Sequence, residues 1–248
     1  MDAVITRERP RAGTRGGRAP AGDAVRRRKA AIIVGVLFII GDIAGVLSVV
    51  VTRGLLDGPD VLTKIAANQS RLALGALLVL AMGLALAMIP VVTYPIFKKY
   101  NGVLALGTVV FRGALETVAY MASAATWLLL LELSRERAAA SAGAPNVQTL
   151  SDLLVTTQGT IATWFISIVF SIGALMFYYL FYRSRLIPRW LSVWGLAGAA
   201  LYLAAPLVDM FGHGFGVLMA PLALAEIVLA VWLIVKGLAS PGPEEAAA

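Results

Sequence analysis

Long apolar runs alternate with short polar breaks along this chain. Six of the runs reach the ~20 residues that crossing a hydrocarbon core requires. They cover about 30–51, 70–89, 102–133, 156–182, 190–208 and 215–236. The pattern predicts an all-α integral membrane bundle of six transmembrane helices over residues 29–238. Pro90 and Pro95 are expected to kink or end the second helix. The third run is long enough to tilt or to project into the head groups. Of the two longer breaks, 52–69 and 134–155, the second is Ala-rich with a Pro-Asn step and has room for a short surface helix. The two halves show no convincing internal repeat of the inverted kind found in some transporters. Residues 1–28 have no apolar period and read as a disordered basic cytoplasmic tail, and 239–248 as a short disordered tail. Arg26-Arg27-Arg28-Lys29 precedes a run too long for a cleaved signal peptide, so it reads as a signal anchor.

Composition agrees with the pattern. Hydrophobic residues make up 59% of the chain and charged residues 14%, against ~25% charged in soluble domains. The net charge of +7 is concentrated, because nine of the 21 Lys and Arg lie in the first 29 residues. A basic tail beside a span fixes orientation and touches anionic lipid head groups, so nucleic acid is not the expected partner. With both termini cytoplasmic, 15 cations fall inside, five outside, and Arg112 in the membrane. This satisfies the positive-inside rule, and the tail carries most of the asymmetry. There are no cysteines, which removes disulfides, thiol catalysis and Cys-ligated metals.

Three stretches carry a family resemblance. They are Tyr94-Pro95 with Phe111-Arg112-Gly113-Ala114-Leu115-Glu116, then Tyr182-Arg183-Ser184-Arg185-Leu186-Ile187-Pro188-Arg189-Trp190-Leu191, then Ala225-Glu226-Ile227 with Trp232-Leu233-Ile234-Val235-Lys236-Gly237. Together they resemble the bacterial membrane family catalogued as domain of unknown function 4386, over most of residues 29–238. The resemblance implies six helices in a bacterial cytoplasmic membrane and implies no reaction. The long basic tail is outside the family pattern.

Four charges lie inside the expected spans: Asp42 in the first, Arg112 and Glu116 in the third, Glu226 in the sixth. Each costs about 2.5–3.5 kcal/mol at a helix centre, so they are the main functional clue. Arg112 and Glu116 are four apart and should stack on one helix face. At 100° per residue, Thr108, Arg112, Glu116, Tyr120, Ser123 and Trp127 form one polar stripe. The fourth span has another, with Thr160, Thr163, Ser167, Ser171, Tyr178 and Tyr182. Thr108, Tyr120, Ser123, Thr163, Ser167, Ser171 and Tyr178 are the candidate cavity-lining residues. Gly35, Asp42 and Gly45 share a face of the first span, and Gly41 with Gly45 makes a small-xxx-small pair. The bland reading is that each hydroxyl bonds its own helix and each glycine only allows packing.

Other candidates are weaker. His213 is the single histidine, in a glycine-rich turn without paired ligands. No Ser-His-Asp set falls in one site, and no metal ligand set or cofactor motif is present. Trp164, Trp190, Trp194 and the Tyr178–Tyr182 cluster read as interfacial anchors and packing. Three carboxyls against one guanidinium leave an excess of two negative charges if all ionise. Arg112 should hold one carboxylate, and the others must be neutral, reach water or bind a cation. Two uses fit: transport or ligand binding at the cluster, or a structural or regulatory protein in which the charges only fix packing. An alkaline phosphatase fused after Ala248 is expected to stay inactive. Activity of that fusion outside the cytoplasm would overturn the six-span topology.

Overall fold

The computed structural model describes residues 21–139, 145–212, 214 and 216–239. The expected tail over 1–20, His213 and residues 240–248 lie outside these. Six helices are long and apolar enough to cross a membrane: Gly22–Thr52, Gln69–Phe97, Gly102–Ala138, Asn146–Ser184, Arg189–Asp209 and Gly216–Val235. No strand occurs among the described residues. Closest packing joins each span to the next, and the first also packs on the sixth. The six helices therefore form a closed ring in chain order.

The expected spans are all present, with three differences. The first helix begins at Ala21, so residues 21–28 are helical where a disordered tail was expected. A nucleated helix extends cheaply through Ala, Arg and Lys, whatever the apolar period. Pro90 and Pro95 sit inside a helix that continues to Phe97. Between them, the Thr93 hydroxyl donates to the carbonyls of Ile89 and Pro90, the kind of local compensation that lets membrane helices carry proline. The short helix lies in the first long break, over Val61–Ala67, and not in the second. It buries Val61, Leu62 and Ile65 against Leu72, Leu130 and Leu131. In the second break the third helix instead runs on to Ala139, and the fourth begins at Pro145.

The outer surface is apolar, with Leu77, Leu84, Val103 and Leu129 each more than half exposed. Water would not tolerate such patches, but lipid does. Inside the ring, aromatic edges interlock, as where Phe97 meets Phe177 at 5.5 Å and Phe181 at 4.9 Å between ring centroids. Trp190 stacks near Trp194 and meets Trp232 edge-on, with Trp190 half exposed as an interfacial anchor should be.

Two arginines join helix ends. Arg28 donates to the carbonyls of Leu233 and Ile234, in the last turn of the sixth span. Arg71 donates to those of Val51 and Arg53, at the end of the first. Both cations meet the negative end of a helix dipole. Arg28 thereby closes the ring between its first and last members.

The glycines of the first span divide between two neighbours. A Cβ on Gly35 would lie 2.7 Å from the Ala230 carbonyl of the sixth span. Gly41 and Gly45 face Leu86 and Met82 of the second. Gly35, Asp42 and Gly45 thus do not meet one common neighbour, because the first helix packs on the second and sixth spans at once. Gly35→Val is expected to lower stability by about 1–3 kcal/mol in detergent melts, since backbone blocks the new side chain. Gly22→Ala is the control, with nothing within 4 Å of the added carbon.

Candidate functional site

The third span departs from α-helical geometry where it carries its charge. Val109–Leu115 forms a π-helical segment, with Arg112 in the middle and Glu116 just past its end. A wider turn swings the following residues round the axis, so i and i+4 no longer stack. This corrects the expected stacking of Arg112 and Glu116 on one helix face, and decides which carboxyl Arg112 holds, a choice the spacing left open. Arg112 Nη2 donates to Glu226 Oε1, across the ring in the sixth span, through a single direct contact. Among the described residues this is the buried ion pair; the other, Arg135–Glu132, is exposed at a rim.

Arg112 is completely buried. Its guanidinium carbon lies 5.2 Å from the Phe38 ring centroid, 4.8 Å from Phe170 and 5.5 Å from Phe177. Rings from the first and fourth spans therefore enclose it. Nε and Nη1 make no hydrogen bond, because their surroundings are ring faces and edges. Each such contact contributes about 0.5–2 kcal/mol when desolvated. The fourth span can come this close because Gly173 is there: a Cβ at that position would lie 3.0 Å from both the Arg112 nitrogen and its Cβ. On the other side Gly113 packs near Pro90 of the second span. Thr117 donates back to the Gly113 carbonyl within the same helix.

The remaining two carboxyls lie in the field of this pair without joining it. Glu116 is 1% exposed, and neither of its oxygens accepts a well-formed hydrogen bond. It interacts electrostatically with Arg112 and Glu226, and the Tyr120 hydroxyl, one turn away, is the donor nearest to it. Asp42 interacts with the same two residues. Asp42 is only half buried, at a groove of about 380 Å³ between the first and sixth spans. Ile39, Ile43, Val46, Leu47, Ile227 and Val231 complete that groove, so its walls are apolar and it opens toward lipid. All four charges thus come together, as two layers: a dry pair and two carboxyls beside it.

The hydroxyls divide between the two readings. Thr108 donates to its own Ala105 carbonyl and Ser171 to Ser167, as a packing role requires. Ser167 reaches the Ala162 carbonyl and also meets the Tyr202 hydroxyl. Tyr178 is buried with its hydroxyl unbonded, inside the bundle and not at an interface. Tyr120 and Thr163 are partly buried. Ser123 accepts from Gln158 at 2.8 Å, in a separate polar contact between the third and fourth spans. Thr160 is exposed and donates to Thr156, so it leaves the expected stripe. A second π segment, Ile161–Ile166, explains this: it rotates the fourth span's face and brings Gln158 inward. Among the described residues no group of three or more His, Asp and Glu could hold a metal ion.

The family model for DUF4386, a domain of unknown function, matches residues 33–237. The chain belongs to the DUF4386 family. Comparison with curated proteins and with solved structures finds no match. The matched DUF4386 region contains all four intramembrane charges and the three rings around Arg112.

Sequence reasoning missed Phe38, Phe170, Phe177, Gly173 and Gln158. Phenylalanine in an apolar span carries no signal of its own. The spacing of Phe38 four residues before Asp42, and of Phe170 three residues after Ser167, is the one hint that these rings share faces with polar groups. In this DUF4386 bundle Arg112→Ala is expected to cost about 3–5 kcal/mol, because it strands Glu226 and empties the aromatic enclosure. Glu226→Gln keeps an acceptor for Arg112 and should cost less. Thermal melts of both variants in one detergent test this, and equal small losses would show that the pair does not organise the bundle.

Proposed function

We propose that this multi-pass protein lies in the bacterial cytoplasmic membrane with both termini inside, and binds or moves a small molecule or ion at the central charge cluster. Glu116 and Asp42 are its exchangeable groups. The Arg112–Glu226 pair is the fixed reference beside them. The observation that carries this reading is Glu116: buried to 1% exposure, with no well-formed hydrogen bond to either oxygen and the Tyr120 hydroxyl as its one neighbouring donor. An ionised carboxylate in that state is costly unless compensated, and the nearby guanidinium is already paired. The site can be balanced by a proton or a small cation at Glu116, which is the chemistry that ion- or proton-coupled transport requires. Asp42, at the lipid-side groove, offers a second carboxyl in the same field.

A structural or regulatory role is the second reading, favoured by the full enclosure of Arg112. There the charges hold helix register and nothing exchanges. The two separate in liposomes that contain the full chain and a trapped pH-sensitive dye. Exchange predicts a proton flux, or a sodium flux read with a sodium dye, that scales with protein and is lost in Glu116→Gln. A silent wild-type protein that folds normally, with Glu116→Gln as stable as the parent, would leave the structural reading standing instead.

A further inference from the structure

The first helix overshoots the bundle at its N-terminal end. Its turns from Asp23 to Arg27 run beside the place where the second span ends and turns at Lys98 and Lys99. Between them lies a pocket of about 310 Å³. Its walls carry four cations, Arg26, Arg27, Lys98 and Lys99, and one acid, Asp23, over an apolar floor that includes Ile96. None of these five charges forms an ion pair among the described residues. Arg27 Nη1 is shielded from solvent yet has no hydrogen-bond partner. Lys98 is positioned by the Tyr94 ring, 5.8 Å from its ammonium nitrogen. Arg28, by contrast, is committed to capping the sixth helix.

We infer that this pocket binds the phosphate of an anionic phospholipid head group. Four cations and one acid leave an excess of positive charge around a concave space. Arginine and lysine are the side chains suited to a phosphate, and an unbonded guanidinium nitrogen supplies a waiting donor. The volume equals that of about ten waters, enough for a glycerophosphate moiety. The apolar floor and the exposed Met88 and Val91 further along the second span favour a lipid over a free anion, because acyl chains can continue along that face. The pocket is walled by residues of the first helix and the end of the second span, and the inference rests neither on the basic stretch before residue 21 nor on transport at the centre.

The test is a melt of the full chain in neutral detergent, titrated with short-chain phosphatidylglycerol, phosphatidylcholine or inorganic phosphate. Phosphatidylglycerol is expected to raise the melting temperature with saturation, and the other two to leave it unchanged at equal concentration. Lys98→Gln with Lys99→Gln should weaken the apparent affinity about tenfold, while deletion of residues 1–20 leaves it intact. If the double variant does not fold, Arg27→Gln replaces it. An equal shift with inorganic phosphate would overturn the lipid assignment. No shift with phosphatidylglycerol, or a shift lost only on deleting 1–20, would overturn the pocket.

Discussion

A guanidinium cannot give up its charge, and a bilayer core offers no water to solvate it. Everything near the centre of this bundle follows from placing Arg112 there. The third span supplies the cation, the sixth supplies Glu226, and the first and fourth supply rings. Four of the six helices are thus fixed relative to one side chain. The closed ring follows from the same need, because an open bundle would leave one side of Arg112 to lipid. Gly35 and Gly173 let the helices approach closely enough for the enclosure to be complete.

The two π segments give the bundle its specific register. One places Arg112 out of line with Glu116 and toward Glu226. The other turns Gln158 inward to Ser123 while Thr160 faces out. Wider turns of this kind recur at functional sites because they redirect side chains without breaking a helix. Their effect here is to separate the carboxyls into one that is paired and two that are not. That asymmetry is what the proposed exchange at Glu116 and Asp42 rests on. The same economy appears at the ends, where Arg28 and Arg71 each join one helix terminus to another element.

Six spans and their approximate limits were legible in the hydropathy, since a hydrocarbon core sets a minimum apolar length that no tertiary contact alters. So was the burial of Thr108, Arg112, Glu116, Ser123 and Trp127, because an apolar helix carrying one polar stripe must turn that stripe from lipid. The identity of Arg112's partner was not legible. Spacing stacked Glu116 on the same face, an argument that assumes an unbroken α-helix, and left open which of the three carboxyls Arg112 holds. The phenylalanines around Arg112 were also hidden, because in a span the same residue serves equally well against lipid or inside. Helix over residues 21–28 was missed since a polar, basic stretch without apolar period gives no sign of continuing a helix already started. By itself the sequence determined that the chain spans a membrane six times and which residues are too polar to face lipid. Only the tertiary structure decided which of those residues meet, because that depends on helix rotation and on packing across the ring, and neither is encoded in local spacing.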